Sequence, residues 1–204
     1  MGMWDYVADL IEYESLEELR EICLKCSKCR LRAGAENVVF GEGNPSARLM
    51  FVGEGPGKQE DEMGRPFVGA AGQLLDKIFA AAGINRSDVY IANVVKCRPP
   101  NNRLPKPDEV DACRKYLEAQ IKIIKPSIIV CLGALAAKTL INPQVRITTI
   151  RGKWFERNGI KILPTFHPAA LLRDPAKKRL VWEDFKSLMK VYREVSVEQL
   201  TLGW

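Results

Sequence analysis

The chain has 204 residues, 47% of them hydrophobic, with 12 scattered prolines and neither an internal repeat nor a low-complexity tract, which is material for one core and a single domain over 1–204. Its net charge is +6, with cations densest in the last third, a mild excess that suits a polyanionic partner without naming one. No apolar run approaches the about 18 residues of a bilayer span. The acidic start MGMWDYVADLIEYESLEELRE lacks the order of a secretion signal, and Tyr6 stands where N-myristoylation needs Ser or Thr. The expectation is a cytoplasmic monomer with no membrane partner, whose six cysteines are thiols serving as metal ligands or core residues.

In chain order, a helix over about 15–25 opens at Ser15 with Glu18 three residues on, the spacing of a capping box. A strand RLMFVG (48–53) precedes a helix near 70–82, and VYIANVV (89–95) precedes one near 108–124. Then come SIIVCLG (127–133) with a helix near 134–141, GIKILPT (159–165) with a short helix through Leu171, and a last helix near 178–194. This alternation predicts an α/β fold: a three-layer α/β/α sandwich around a mostly parallel sheet of about four strands.

Each strand runs into a loop with chemistry in it: GEGPG, KCRPPNNR, GALAA and FHPAALLR. In an open parallel sheet such loops emerge along one edge, where ligands bind. His167, the one histidine of the chain, is therefore expected to share a cleft with Glu54 and Asn93.

The loop VGEGPGKQED is not a nucleotide site. A dinucleotide fingerprint needs glycine where Lys58 stands, and a phosphate loop needs Ser or Thr at Gln59 and glycine at Val52. Glu54 would repel phosphate, whereas tight glycine turns let main-chain groups approach a neutral heterocycle. Cys23, Cys26 and Cys29, with Cys97, Cys113 and Cys131 further on, contain a C-x2-C pair plus distant partners, a pattern for a four-thiolate site of zinc or iron–sulfur type. Cys131 lies in an apolar strand and Cys23 on a helical face with Leu16 and Leu19, which leaves Cys26, Cys29, Cys97 and Cys113, although Cys23–Cys26 is an equally spaced pair.

Phe67 in GRPFVG reads either as a core aromatic or as a stacking surface. Asn93, an amide at the end of a buried strand, either ties down a loop or reads the edge of a base. His167 precedes Pro168 and a helix start, which disfavours imidazolium; a neutral ring there can donate one hydrogen bond to an oxygen that gains charge.

Together, CSKCRL, VVFGEGNP, VGEGPGKQED, GRPFVG, NVVKCRPPNNR, PDEVDAC and TFHPAALLR, in this order from Cys26 to Arg173, resemble family 4 uracil-DNA glycosylases, the iron–sulfur branch of that superfamily. The resemblance implies removal of uracil from single- or double-stranded DNA and a 4Fe-4S cluster held by Cys26, Cys29, Cys97 and Cys113, since the family's ligating pair directly precedes Arg-Leu. It sets Glu54 and Gly55 against the base, Phe67 on its face, Asn93 at its edge and His167 toward O2, and the lack of a first-motif aspartate makes Glu60 the substitute for positioning water.

A base inside a duplex must be extruded to be reached. Leu171 is expected as the wedge filling the vacated stack, with Arg173 on phosphate. The competing expectations are a glycosylase of broader base range and a noncatalytic iron–sulfur module that binds DNA or carries electrons.

Overall fold

A computed structural model describes residues 13–201, with side chains through residue 195. The acidic stretch before Tyr13 that bears on secretion and acylation lies outside the described residues. Six strands, β1 (Glu42–Gly43), β2 (Leu49–Gly53), β3 (Tyr90–Asn93), β4 (Ile128–Leu132), β5 (Phe155–Arg157) and β6 (Ile160–Thr165), form one sheet in the order β1-β3-β2-β4-β6-β5. The four apolar runs are its parallel centre, while β1 and β5 flank it antiparallel.

The expectation of about four strands therefore falls short by two. β1 and β5 have two and three residues, none of them buried, so neither has an apolar run to show. β5 did carry a signal. It joins β6 through Asn158-Gly159, both at positive φ (49° and 77°), the Asn-Gly pair that two-residue hairpins favour.

Helices cover both faces, which is why the central strands read as continuous apolar runs rather than as an alternation. On one face, Met50, Val52, Ile129 and Cys131 pack with α1 (Leu16–Leu24), α5 (Pro107–Ile124) and α6 (Ala134–Leu140). On the other, Leu49, Phe51, Val130 and Leu163 pack with α4 (Ala70–Ala82), α8 (Pro168–Arg173) and α9 (Lys177–Thr201). Phe51 anchors this second core, its ring 4.7 Å from Phe79 and 6.1 Å from Phe185. Three short helices, α2 (Leu31–Gly34), α3 (Lys58–Met63) and α7 (Ile147–Ile150), lie in the connections. At α1 the Ser15 hydroxyl accepts from the Glu18 N–H, but Glu18 reaches back to the N–H of Glu14 instead of Ser15. Among the described residues no helix is long and apolar enough to cross a membrane.

Candidate active site

The chain leaves β2, steps sideways to β3, and returns across β2 to β4, so loops diverge at the carboxyl ends of the central strands. A cleft of about 660 Å³ opens there, lined by residues of the loops after β2, β3 and β6 and by Phe67 and Ala71. It gathers Glu54, Gly55, Glu60, Phe67, Asn93, His167 and Arg173, which the sequence scatters over more than half its length.

Leu171 is not among them. It is 1% exposed and packs in the core with residues of α4 and α9, whereas Leu172 is 48% exposed and lines the cleft. One residue turns a helix by about 100°, so the apolar face of α8 claims the first leucine and presents the second to solvent. The expectation that Leu171 faces the cleft is thus corrected: it is a core residue, and its neighbour Leu172 is the leucine exposed there.

Asn93 ends β3 with 2% exposure, and its Oδ1 has no hydrogen-bond partner. A buried amide oxygen left unpaired costs about 1–3 kcal/mol, so a native site retains one where something else supplies the donor. Beside it, Phe67 holds a left-handed backbone (φ 53°), rare for an aromatic residue and the kind of strain found at ligand sites. Its ring centroid lies 5.5 Å from that of His167. Gly53 permits this arrangement: a Cβ there would lie 2.4 Å from Asn93 Oδ1 and 2.6 Å from Phe67 Cζ. Gly53→Ala is expected to displace both groups and abolish measurable turnover at the cleft, whereas Gly34→Ala, with nothing within 4 Å, is expected to match the parent in the same assay.

Glu60 braces the Phe67 loop. Its Oε1 accepts from the N–H groups of Val68 (2.9 Å) and Gly69 (2.7 Å), and its Oε2 from Gly57 (3.1 Å). Three main-chain donors thus hold the carboxylate against the Phe67 loop, where it also lines the cleft. The neighbouring Asp61 turns away, accepting from Glu36 and Asn37 N–H. Glu60→Gln places an amide N–H₂ against donors, and we expect lower thermal stability together with slower turnover, read by a melting curve and a single-turnover assay.

His167 caps α8, its Nδ1 accepting from the Ala169 N–H at 3.1 Å. Nδ1 is therefore the acceptor, which leaves the proton of the neutral ring on Nε2. Burial, reinforced by the Arg173 guanidinium and opposed by Glu60, lowers its pKa from 6.5 to about 4. Gly133, at φ 98°, leaves room for this side chain: a Cβ there would meet His167 Cβ at 3.0 Å. Glu54 is half-buried, and its carboxyl is raised by desolvation against the lowering pull of Arg173.

A second cavity is lined by Cys23, Cys26, Cys29, Cys97 and Cys113, with Leu31, Val38 and Tyr116 among its other walls. The donor set is soft thiol in apolar surroundings, which fits an iron–sulfur group, and the Lys96 N–H points to Cys113 Sγ at 3.2 Å as N–H groups do around cluster sulfurs. Cys23 and Cys97 are pushed up to about 12 and Cys113 to about 11, mainly by burial, so ionisation waits for a cation. Among the described residues no three His, Cys, Asp or Glu are arranged to hold one metal ion. Cys131, fully buried in β4, is a core residue as expected.

Sequence reasoning missed Asn102, Arg103, Leu104 and Leu172 at the cleft and the buried Lys96 behind it. The signal for the first two was the RPPNNR loop itself, which follows Asn93 at the same sheet edge and leads directly into Leu104. Lys96 had none. Its ammonium is paired with the Asn93 carbonyl (2.9 Å) and Gln120 Oε1 (2.6 Å), and burial lowers it to about 8.

Residues 40–186 match the family model described as the uracil DNA glycosylase superfamily. The chain is 50% identical over 179 residues to a type-4 uracil-DNA glycosylase of Thermotoga maritima, covering 85% of this chain and 92% of that protein. It is 46% identical over 187 residues to the type-4 enzyme of Sulfurisphaera tokodaii (87% and 85%) and 45% identical over 183 residues to that of Archaeoglobus fulgidus (86% and 92%). The chain belongs to the uracil-DNA glycosylase superfamily, in its type-4 branch.

Proposed function

We propose that the cleft receives a uracil nucleotide extruded from DNA and hydrolyses its N-glycosidic bond, leaving an abasic site for repair. The observation that carries this reading is the buried, unpartnered Oδ1 of Asn93 in the same cleft as the Phe67 ring and the neutral His167. Uracil N3–H supplies the donor that Oδ1 lacks, and Asn93 Nδ2 donates to O4; cytosine reverses both groups. Phe67 stacks on the base, contributing roughly 1–3 kcal/mol toward the cost of extrusion without discriminating among pyrimidines.

Bond cleavage leaves a cationic sugar and a uracil anion with charge on O2; water then adds at C1′, and the proton it sheds neutralises the departing uracil. His167 Nε2–H donates to that oxygen, and the main-chain groups of Glu54 and Gly55 lie against the base. The Glu54 carboxylate, balanced by Arg173, favours the sugar cation, and Glu60 keeps the Phe67 loop in register. Arg173 takes phosphate and Leu172 fills the vacated stack. Helices on both sheet faces give the three-layer α/β/α sandwich that carries these loops on a rigid edge.

Cys26, Cys29, Cys97 and Cys113 are the proposed ligands of a 4Fe-4S cluster, which ties the segment after α1 to the β3 loop and α5. Five cysteines line a cavity instead of converging on a point, which suits a cube-shaped cluster whose four irons would each take one thiolate. The cluster's contribution is structural, ordering RPPNNR at the cleft. Cys29→Ala is expected to lose the brown absorption and unfold at lower temperature, whereas Cys23→Ala keeps the visible spectrum. The reverse result would exchange the two in the ligand set.

Incubation with a uracil-containing oligonucleotide, followed by alkali, tests the reading. Strand breaks at the uracil position are expected, and intact strands beside an intact visible spectrum would favour a noncatalytic iron–sulfur module.

A further inference from the structure

Among the described residues, seven large apolar side chains are exposed, and of these only Leu104 and Leu172 line the cleft. Leu104 is the most exposed of the seven, at 69%. Single exposed leucines are common on proteins and by themselves mean little. What sets Leu104 apart is the rigidity of the segment that presents it.

Arg103 forms a two-pronged pair with the buried Glu109, Nη1 to Oε2 at 2.8 Å and Nη2 to Oε1 at 2.7 Å, and Nη1 also donates to the Leu104 carbonyl at 2.9 Å. Glu109 in turn accepts from the Lys106 N–H at 2.8 Å, closing the loop on the start of α5. Upstream, Asn101 and Asn102 both sit at positive φ (55° and 53°), and Arg98 Nε fixes Asn102 Oδ1 at 2.8 Å. Pro99, Pro100 and Pro105 restrict the rest. A side chain on so ordered a tip loses little further entropy on binding.

A loop built only to grip phosphate has no use for a leucine in water. Apolar side chains entering between base steps do occur in DNA-bending proteins, where they unstack the duplex. Leu104 follows β3 and Leu172 follows β6, and these strands lie on opposite sides of β2 in the sheet. The two leucines therefore approach the cleft from opposite walls.

We propose that Leu104 is a second wedge, packing against the base step that flanks the extruded nucleotide and making excision from duplex DNA depend on it. The proposal rests on the reading of the cleft as a uracil site. A single strand has no stack to hold open, so the side chain contributes to duplex substrate alone.

The test is single-turnover excision by the parent protein and Leu104→Ala on one uracil-containing sequence, single-stranded and paired, with 2-aminopurine beside the uracil to report unstacking. In Leu104→Ala, duplex excision is expected to fall about tenfold and the 2-aminopurine signal to weaken, with single-strand excision within about twofold of the parent. Leu104→Met, which keeps the apolar volume, is expected to restore duplex excision. Equal loss on both substrates, or none on the duplex, overturns the second wedge while leaving the uracil reading intact. A parent protein that cuts neither substrate removes that reading and the wedge with it.

Discussion

His167→Ala is expected to slow single-turnover excision of uracil by about 10²–10³-fold while DNA affinity stays within a few-fold. The ring donates to an oxygen that becomes strongly negative only as the glycosidic bond breaks, so its loss falls on the transition state and hardly on binding. Two observations make the ring a donor: Nδ1 is occupied by the Ala169 N–H, which leaves the proton on Nε2, and burial holds the pKa at about 4. The excision rate should accordingly run level through pH 6.5, where an exposed histidine would titrate, and respond to His167 only near pH 4. The stability linkage has the same sign. Below pH 6.5 the unfolded chain takes up a proton that the folded chain refuses, so the contribution of this site is complete above pH 6.5 and declines as pH falls toward 4. A step in rate centred at pH 6.5 in the parent, missing from His167→Ala, would mean a ring that works as imidazolium.

Asn93→Asp is expected to collapse the preference for uracil over cytosine. The amide offers uracil one acceptor and one donor; the acid in this buried place presents acceptors, plus a proton when neutral, which is the complement of the cytosine edge. Two mismatched polar contacts at about 1–3 kcal/mol each amount to roughly 10²-fold or more in the ratio of excision rates. The ratio is measured on matched strands carrying uracil or cytosine opposite guanine. Because Asp has the shape of Asn, the change alters the chemistry of the edge while leaving the space that Gly53 opens for residue 93 and Phe67 as it is.

The central strands were legible because both their faces are buried, so β2, β3 and β4 announced themselves as apolar runs, and β6 did so after the exposed Lys161. Their loops carried the chemistry, and the parallel order brought Glu54, Asn93 and His167 to one edge as the spacing predicts. What was not legible depends on contacts that no local pattern encodes. The choice between Leu171 and Leu172 is a matter of helix phase against α4 and α9. The three main-chain N–H groups that Glu60 accepts from lie on turns no local pattern foretells. Lys96 reads as a surface cation, yet it is 1% exposed because Gln120 and the Asn93 carbonyl supply its partners from distant parts of the fold.

The grip of the cleft on the extruded base is tested most directly by a crystal structure of the protein with free uracil. The account predicts the ring lying on Phe67, N3 within hydrogen-bond reach of Asn93 Oδ1 and O2 facing His167 Nε2. Uracil held elsewhere, or seated with its N3 edge turned away from Asn93, would contradict it.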